Sequence, residues 1–170
     1  MIWPENQLKV FISSTHREFD DIRKQFEEDV CNQDILLTAP DSQTEAIKDG
    51  TKILEQCYLG LKKSDICLRI IGFKIGTLIP TDAENDSKIP IIEWEYHRAC
   101  ELMKFSKNKG GLEIIPYVDK QIIDLDDVFI KKEIKKQNED YSEKDIDDWY
   151  QFIKRCRNSF QIQSGNNLNA

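Results

Sequence analysis

Ile66-Cys67-Leu68-Arg69-Ile70-Ile71-Gly72 is the most strand-like segment of the chain, and its apolar run is nearly continuous. A strand with one wet face alternates apolar and polar residues, so a run of this kind suits a central parallel strand covered on both faces. Parallel neighbours need crossover connections, most often helices. Candidates lie on either side. Upstream, Ala46, Ile47, Ile53 or Leu54, Cys57 and Leu61 recur at helical spacing, with Gly50 a weak point among them. Downstream, Pro90 suits a helix start, since its missing amide would be unpaired there anyway, and the helix should run to about Phe105 and stop at Asn108-Lys109-Gly110-Gly111.

The same alternation extends outward. Leu8-Lys9-Val10-Phe11-Ile12 reads as a strand that ends in Ser13-Ser14-Thr15. Thr15 followed by Glu18 makes a capping-box signature, and Phe19, Ile22, Phe26 and Val30 give a first helix from about Thr15 to Asn32. Asp34 to Ala39 is a second short strand, and Leu112 to Val118 a fourth whose Pro116 belongs at an end or edge. Gly72 to Lys88 reads as a loop of roughly 17 residues, longer than most connections and of the kind that forms lids or binding loops. Past Asp119 the pattern weakens to a short strand or edge segment within Ile122–Ile130 and a short helix within Phe129–Gln137. Ser142 with Asp145 caps a last helix carrying Ile146, Trp149, Tyr150, Ile153 and Phe160, and the polar stretch 161–170 reads as a tail or the start of a linker. The expectation is a single domain over 1–160, a parallel sheet with helices on both faces.

Composition narrows the function. The chain has 170 residues, 39% apolar, enough for one ordinary core. A net charge of −7 argues against a binder of phosphate backbones, so no nucleic-acid partner is expected. No apolar run approaches about 18 residues and no secretory signal opens the sequence, so neither a membrane nor export is expected and the setting reads as cytoplasmic. Five scattered cysteines without Cys-x-x-Cys spacing, and two histidines, make no zinc site.

In sheets of this kind ligands bind beyond the strands' carboxyl ends, where strand order reverses. Ser13–Thr15 and Gly72–Gly76 should meet there, with the amino end of the helix after Pro90 nearby. On that helix Ile92, Glu95, Ala99 and Leu102 share one inward stripe, so Glu95 stands where a leucine would ordinarily sit. A carboxylate near a first turn is also favoured by the helix dipole, and Ser13-Ser14-Thr15 also suits simple capping. Glu93 reads as a solvated acid, and Phe73 and Trp94 as packing residues or as platforms for a base.

Val10-Phe11-Ile12-Ser13-Ser14-Thr15, Phe19 and Arg23, Ser64-Asp65-Ile66-Cys67, Gly72-Phe73-Lys74-Ile75-Gly76 and Glu93-Trp94-Glu95-Tyr96-His97-Arg98-Ala99, in this order and spacing, resemble a TIR-like family of bacterial domains. That family begins Val-Phe-Ile-Ser-Ser-Thr, carries a later Ser-x-Thr-Glu-x-Glu-Tyr signature, is largely of unknown function, and often precedes a signalling NTPase. The likeness covers roughly residues 8–118. Two blocks differ: Pro90-Ile91-Ile92 replaces Ser-x-Thr, and Ile75-Gly76 replaces Tyr-Gly. The resemblance implies a TIR/flavodoxin-like three-layer sandwich around a central parallel sheet of four to five strands. Through TIR domains it also implies cleavage of NAD at the nicotinamide–ribose bond by the glutamate that aligns with Glu95. NAD would be the substrate and no cofactor would be needed. Ser13, Ser14 and Thr15 would hold phosphates or ribose, Gly72, Phe73 or Trp94 would shape or stack on the nucleotide, and Arg23 or Lys74 would supply countercharge. It further implies activation by self-association in bacterial defence or signalling, and a C-terminal NTPase or sensor region outside this sequence. The alternative is a TIR-like interaction or nucleotide-signal-binding module without catalysis, which the apolar Pro90-Ile91-Ile92 favours.

Overall fold

In the computed structural model, which describes residues 7–31, 35–37, 50–82, 87–105 and 111–167, strand and helix alternate. The order is β1 (Leu8–Ser14), α1 (His16–Cys31), β2 (Ile35–Leu37), α2 (Gly50–Lys63), β3 (Ile66–Ile71), β4 (Leu78–Asp82), β5 (Ser87–Pro90), α3 (Ile91–Phe105) and β6 (Glu113–Val118), then α4 (Lys120–Asp124), α5 (Asp127–Gln137) and α6 (Glu143–Asn167).

Four parallel strands form the main sheet in the order β2-β1-β3-β6. The apolar run Ile66–Ile71 takes the central place expected of it, with Val10 opposite Ile66 and Ile66 opposite Glu113. Pro116 lies in β6, a strand paired on one side only among the described residues, where a missing amide costs least.

Side-chain alternation assigns the layers. Val10, Ile12 and Ile70 pack with Phe19 of α1 on one face, whereas Phe11 and Cys67 pack with Cys57 and Leu61 of α2 and Ala99 of α3 on the other. Ile71 and Val118 meet Trp149, Phe152 and Ile153 of α6, which lies beside α3 through an edge contact of Tyr96 with Phe152. The fold is therefore the expected α/β sandwich of helix, parallel sheet and helix.

Several local expectations change. The long connection after Gly72 contains an antiparallel ribbon in which Ile79 pairs with Ile89, and Pro90 closes its second strand rather than opening α3. The segment Ile122–Ile130 is helical, held by Asp119 at the start of α4 and Asp126 at the start of α5, whose carboxylates accept the orphan amides there. The backbone of α6 continues through residues 161–167, where a tail was expected, and its start is the expected capping box, Ser142 and Asp145 bonding reciprocally. Ala46 and Ile47 lie outside the described residues. No described helix is long and apolar enough to cross a membrane.

Candidate functional site

Strand order reverses between β1 and β3, and there the chain leaves a cavity of about 480 Å³. Ser14 and Thr15 line it from the end of β1, Lys74, Ile75, Gly76 and Thr77 from the segment after β3. Ile91 and Ile92 line it from the amino end of α3, and Gln137, Asn138, Asp140 and Tyr141 from the α5–α6 turn. The volume falls in the range of small-molecule sites.

The first and third strand loops meet as expected, but the chemistry that joins them is internal. The Thr15 hydroxyl donates to the carbonyl of Lys74 at 3.2 Å instead of capping α1. Glu18 likewise does not complete a capping box: its carboxylate accepts from the amides of Phe73, at 2.8 Å, and Lys74, at 3.2 Å. Gly72 makes room for it, since a Cβ there would lie 2.4 Å from the Glu18 carboxyl atoms. Burial pushes the Glu18 pKa up, opposed by the two amide bonds. The amides of Phe73 and Lys74 are thus already taken by a carboxylate of the chain itself.

The far side of the same loop is held by residues that the sequence reading missed. Asn138, 3% exposed, donates to the carbonyls of Phe73 and Ile134 and accepts from the amide of Ile75 at 2.9 Å. Trp149 Nε1 also donates to the Phe73 carbonyl, and the Tyr141 hydroxyl donates to that of Gly76. Gly76 has φ of +74°, the left-handed region glycine tolerates best. An asparagine directly after a helix was the one available signal, and it reads equally as an ordinary stop.

Glu95 is buried, as its stripe required, but it is not among the cavity-lining residues. Its carboxyl reaches β1 and accepts from the Ser13 hydroxyl at 2.6 Å. Burial raises its pKa above the ordinary carboxylate value, opposed by the bonds from Ser13 and Cys57 and by the charges of Arg23 and Arg69. Arg23, buried on α1, donates to the Ser14 hydroxyl at 2.9 Å and to the Ile12 carbonyl, so it braces the end of β1 from behind. Burial lowers its pKa.

The remaining expectations divide. Lys74 lines the cavity. Phe73 does not: it is 2% exposed within the core formed with Ile71, Ile92 and Trp149, so it is no stacking platform. Trp94 packs beside Phe11 and Leu61 under the guanidinium of Arg98, away from the cavity lining. Glu93 is not the solvated acid expected; it is 9% exposed, bonded by Arg155 at 3.1 Å with His97 at 3.8 Å, and burial raises its pKa. Arg69, the lone charge in the apolar run, is 3% exposed, with its guanidinium 3.9 Å from the centre of the Tyr96 ring and 4.6 Å from that of Phe152. No group of three or more His, Cys, Asp or Glu that could hold a metal ion occurs among the described residues.

The sequence profile of one family, described as "Domain of unknown function (DUF4062)", matches residues 9–167. The chain belongs to this family. The match runs from β1 to the end of α6, so the DUF4062 unit includes every cavity-lining residue and the helices α4–α6 that brace the loop after β3. No curated protein and no solved structure matches the chain.

Proposed function

We propose that this DUF4062 domain is a TIR-like module that binds a phosphate-bearing nucleotide, NAD or a related molecule, at the ends of β1 and β3 and signals by binding rather than by cleavage. The observation that carries the reading is the division of groups around the cavity. Lys74, Ser14 and Thr15 line it, and the amino end of α3 adds a favourable dipole for an anion. The carboxyl required for cleavage, that of Glu95, is buried, held by Ser13 and biased towards its neutral form. Ile91 and Ile92, the second of which stands where the resembled signature has a threonine, form an apolar wall suited to a base. In a longer protein the module would pass ligand occupancy to a neighbouring sensor or NTPase region, or to copies of itself. A cytoplasmic setting belongs to the same reading, supported by the free thiols of Cys57, Cys67, Cys100 and Cys156.

One observation favours a catalytic reading: Ser13, which holds Glu95, is followed directly by the cavity-lining Ser14. Were assembly of several copies to release that carboxyl as a carboxylate, it would stabilise the oxocarbenium-like charge on the ribose. The C1′–N bond would then break with its electron pair leaving on nicotinamide, and water would complete ADP-ribose.

Calorimetry with NAD, ADP-ribose and cyclic nucleotides, alongside nicotinamide release by the free and the chemically crosslinked domain, separates the readings. Binding without release supports the module. Release that disappears in Glu95→Gln establishes the enzyme instead. Self-association with no binding of any nucleotide ends both nucleotide readings.

A further inference from the structure

The cavity carries two opposite charges on separate walls. Lys74 follows β3, and Asp140 lies in the α5–α6 turn. Lys74 lends its charge to the Glu18 carboxylate behind the loop, and Asp140 is exposed. The two walls are fixed to each other, because Asn138 and Tyr141 of the turn bond to the backbone of Phe73, Ile75 and Gly76. A pocket with an ammonium on one wall and a carboxylate on the other selects a ligand with an anionic end and a donor end.

A free phosphate or pyrophosphate answers only Lys74 and is repelled by Asp140. A carboxylate has two oxygens that accept side by side, and a vicinal diol supplies two hydroxyl donors at matching separation. Resting on the nucleotide reading of this cavity, we propose that Asp140 is a specificity-determining residue that accepts hydrogen bonds from the 2′- and 3′-hydroxyls of a ribonucleotide whose phosphates lie against Lys74. The preferred ligands are then ribonucleotides with a free diol, and 2′,3′-dideoxynucleotides and nucleotides esterified at those hydroxyls bind poorly.

The test is calorimetric titration of the full chain with ADP and with 2′,3′-dideoxy-ADP. The natural sequence should bind ADP more tightly by about tenfold or more, the scale of hydrogen bonds to a charged group. Asp140→Asn should bring ADP down to the dideoxy level and leave dideoxy-ADP binding unchanged or slightly improved, whereas Lys74→Met should weaken both nucleotides together. Equal affinities in the natural sequence, with both still weakened by Lys74→Met, would overturn the role of Asp140 and leave the nucleotide site standing. No binding of either while NAD or ADP-ribose binds would overturn this inference alone, and no binding of ADP, NAD or ADP-ribose would overturn the nucleotide reading with it. Asp140 is exposed in a turn, so its substitution should not unfold the chain, and the comparison in the natural sequence is decisive by itself.

Discussion

Glu95 is a buried acid whose protonation is tied to folding. An unfolded chain titrates it near the ordinary value of 4.5, and the folded chain at a higher value because burial penalises the ionised form. Below 4.5 both states are protonated, and the neutral carboxyl contributes fully to stability. As pH rises through that value towards the raised one, the unfolded state ionises first, and the contribution is lost. Glu95→Gln removes this titration while keeping size and an acceptor for Ser13. In denaturant unfolding across pH, the variant should therefore gain on the natural sequence as pH rises above 4.5, and a gap that stays constant would show Glu95 to be uncoupled. Ser13→Ala should cost about 1–3 kcal/mol, the scale of a buried acceptor left without its donor. The burial of Glu95 was legible in the sequence because helical spacing alone sets which stripe faces inward. Its partner was not, since the bond spans 82 positions and depends on the alternation that puts Ser13 and Phe11 on the α2/α3 face of β1.

At the scale of elements, the loop after β3 is clamped from two sides. Glu18 of α1 takes the amides of Phe73 and Lys74, and Asn138 after α5 takes the amide of Ile75. Gly72→Ala would place a methyl group on the Glu18 carboxyl and break its two amide bonds, at a cost of about 1–3 kcal/mol. In a Glu18→Ala background that clash is gone, so a double-mutant cycle should show strong coupling, and additive losses would mean the two residues act separately. Asn138→Ala strands the Ile75 amide and should cost a further about 1–3 kcal/mol, read as a lowered unfolding midpoint without a changed slope. The sequence placed the ends of β1 and β3 together because both close with polar or glycine residues after apolar runs. It could not show that Thr15 and Glu18 serve the loop rather than the helix, because both uses select the same residue types at the same spacing. The ribbon of β4 and β5 was hidden for a related reason: a proline and a polar tract read locally as loop.

For the whole molecule, the decisive feature is that the carboxyl-terminal helices belong to the core. Ile122, Ile130, Ile134, Ile146, Trp149, Phe152 and Ile153 pack in one cluster with Ile71, Phe73, Ile75 and Ile92, so the floor of the cavity rests on α4–α6. Of these, α6 was announced by its capping box and apolar face, whereas α4 and α5 were the least legible part of the chain, since they are short, are started by single aspartates and are stabilised chiefly by what they pack against. Trp149 tests the dependence. It is fully buried, stacks on Phe152 with ring centres 5.0 Å apart, and donates to the Phe73 carbonyl, so Trp149→Ala should cost about 3–5 kcal/mol. Ile115→Ser, at a position 40% exposed on the opposite face of β6, should change stability by no more than about 0.5 kcal/mol. Trp149→Phe keeps most of the bulk and loses the N–H, so it isolates the bond to the loop from the filling of the core. A chain ended after Val118 would expose Ile71, Phe73, Ile75 and Ile92 together and should fail to unfold cooperatively in calorimetry. A sharp transition from that truncated chain would show that the sheet with α1–α3 is self-sufficient and that α4–α6 are an appendage.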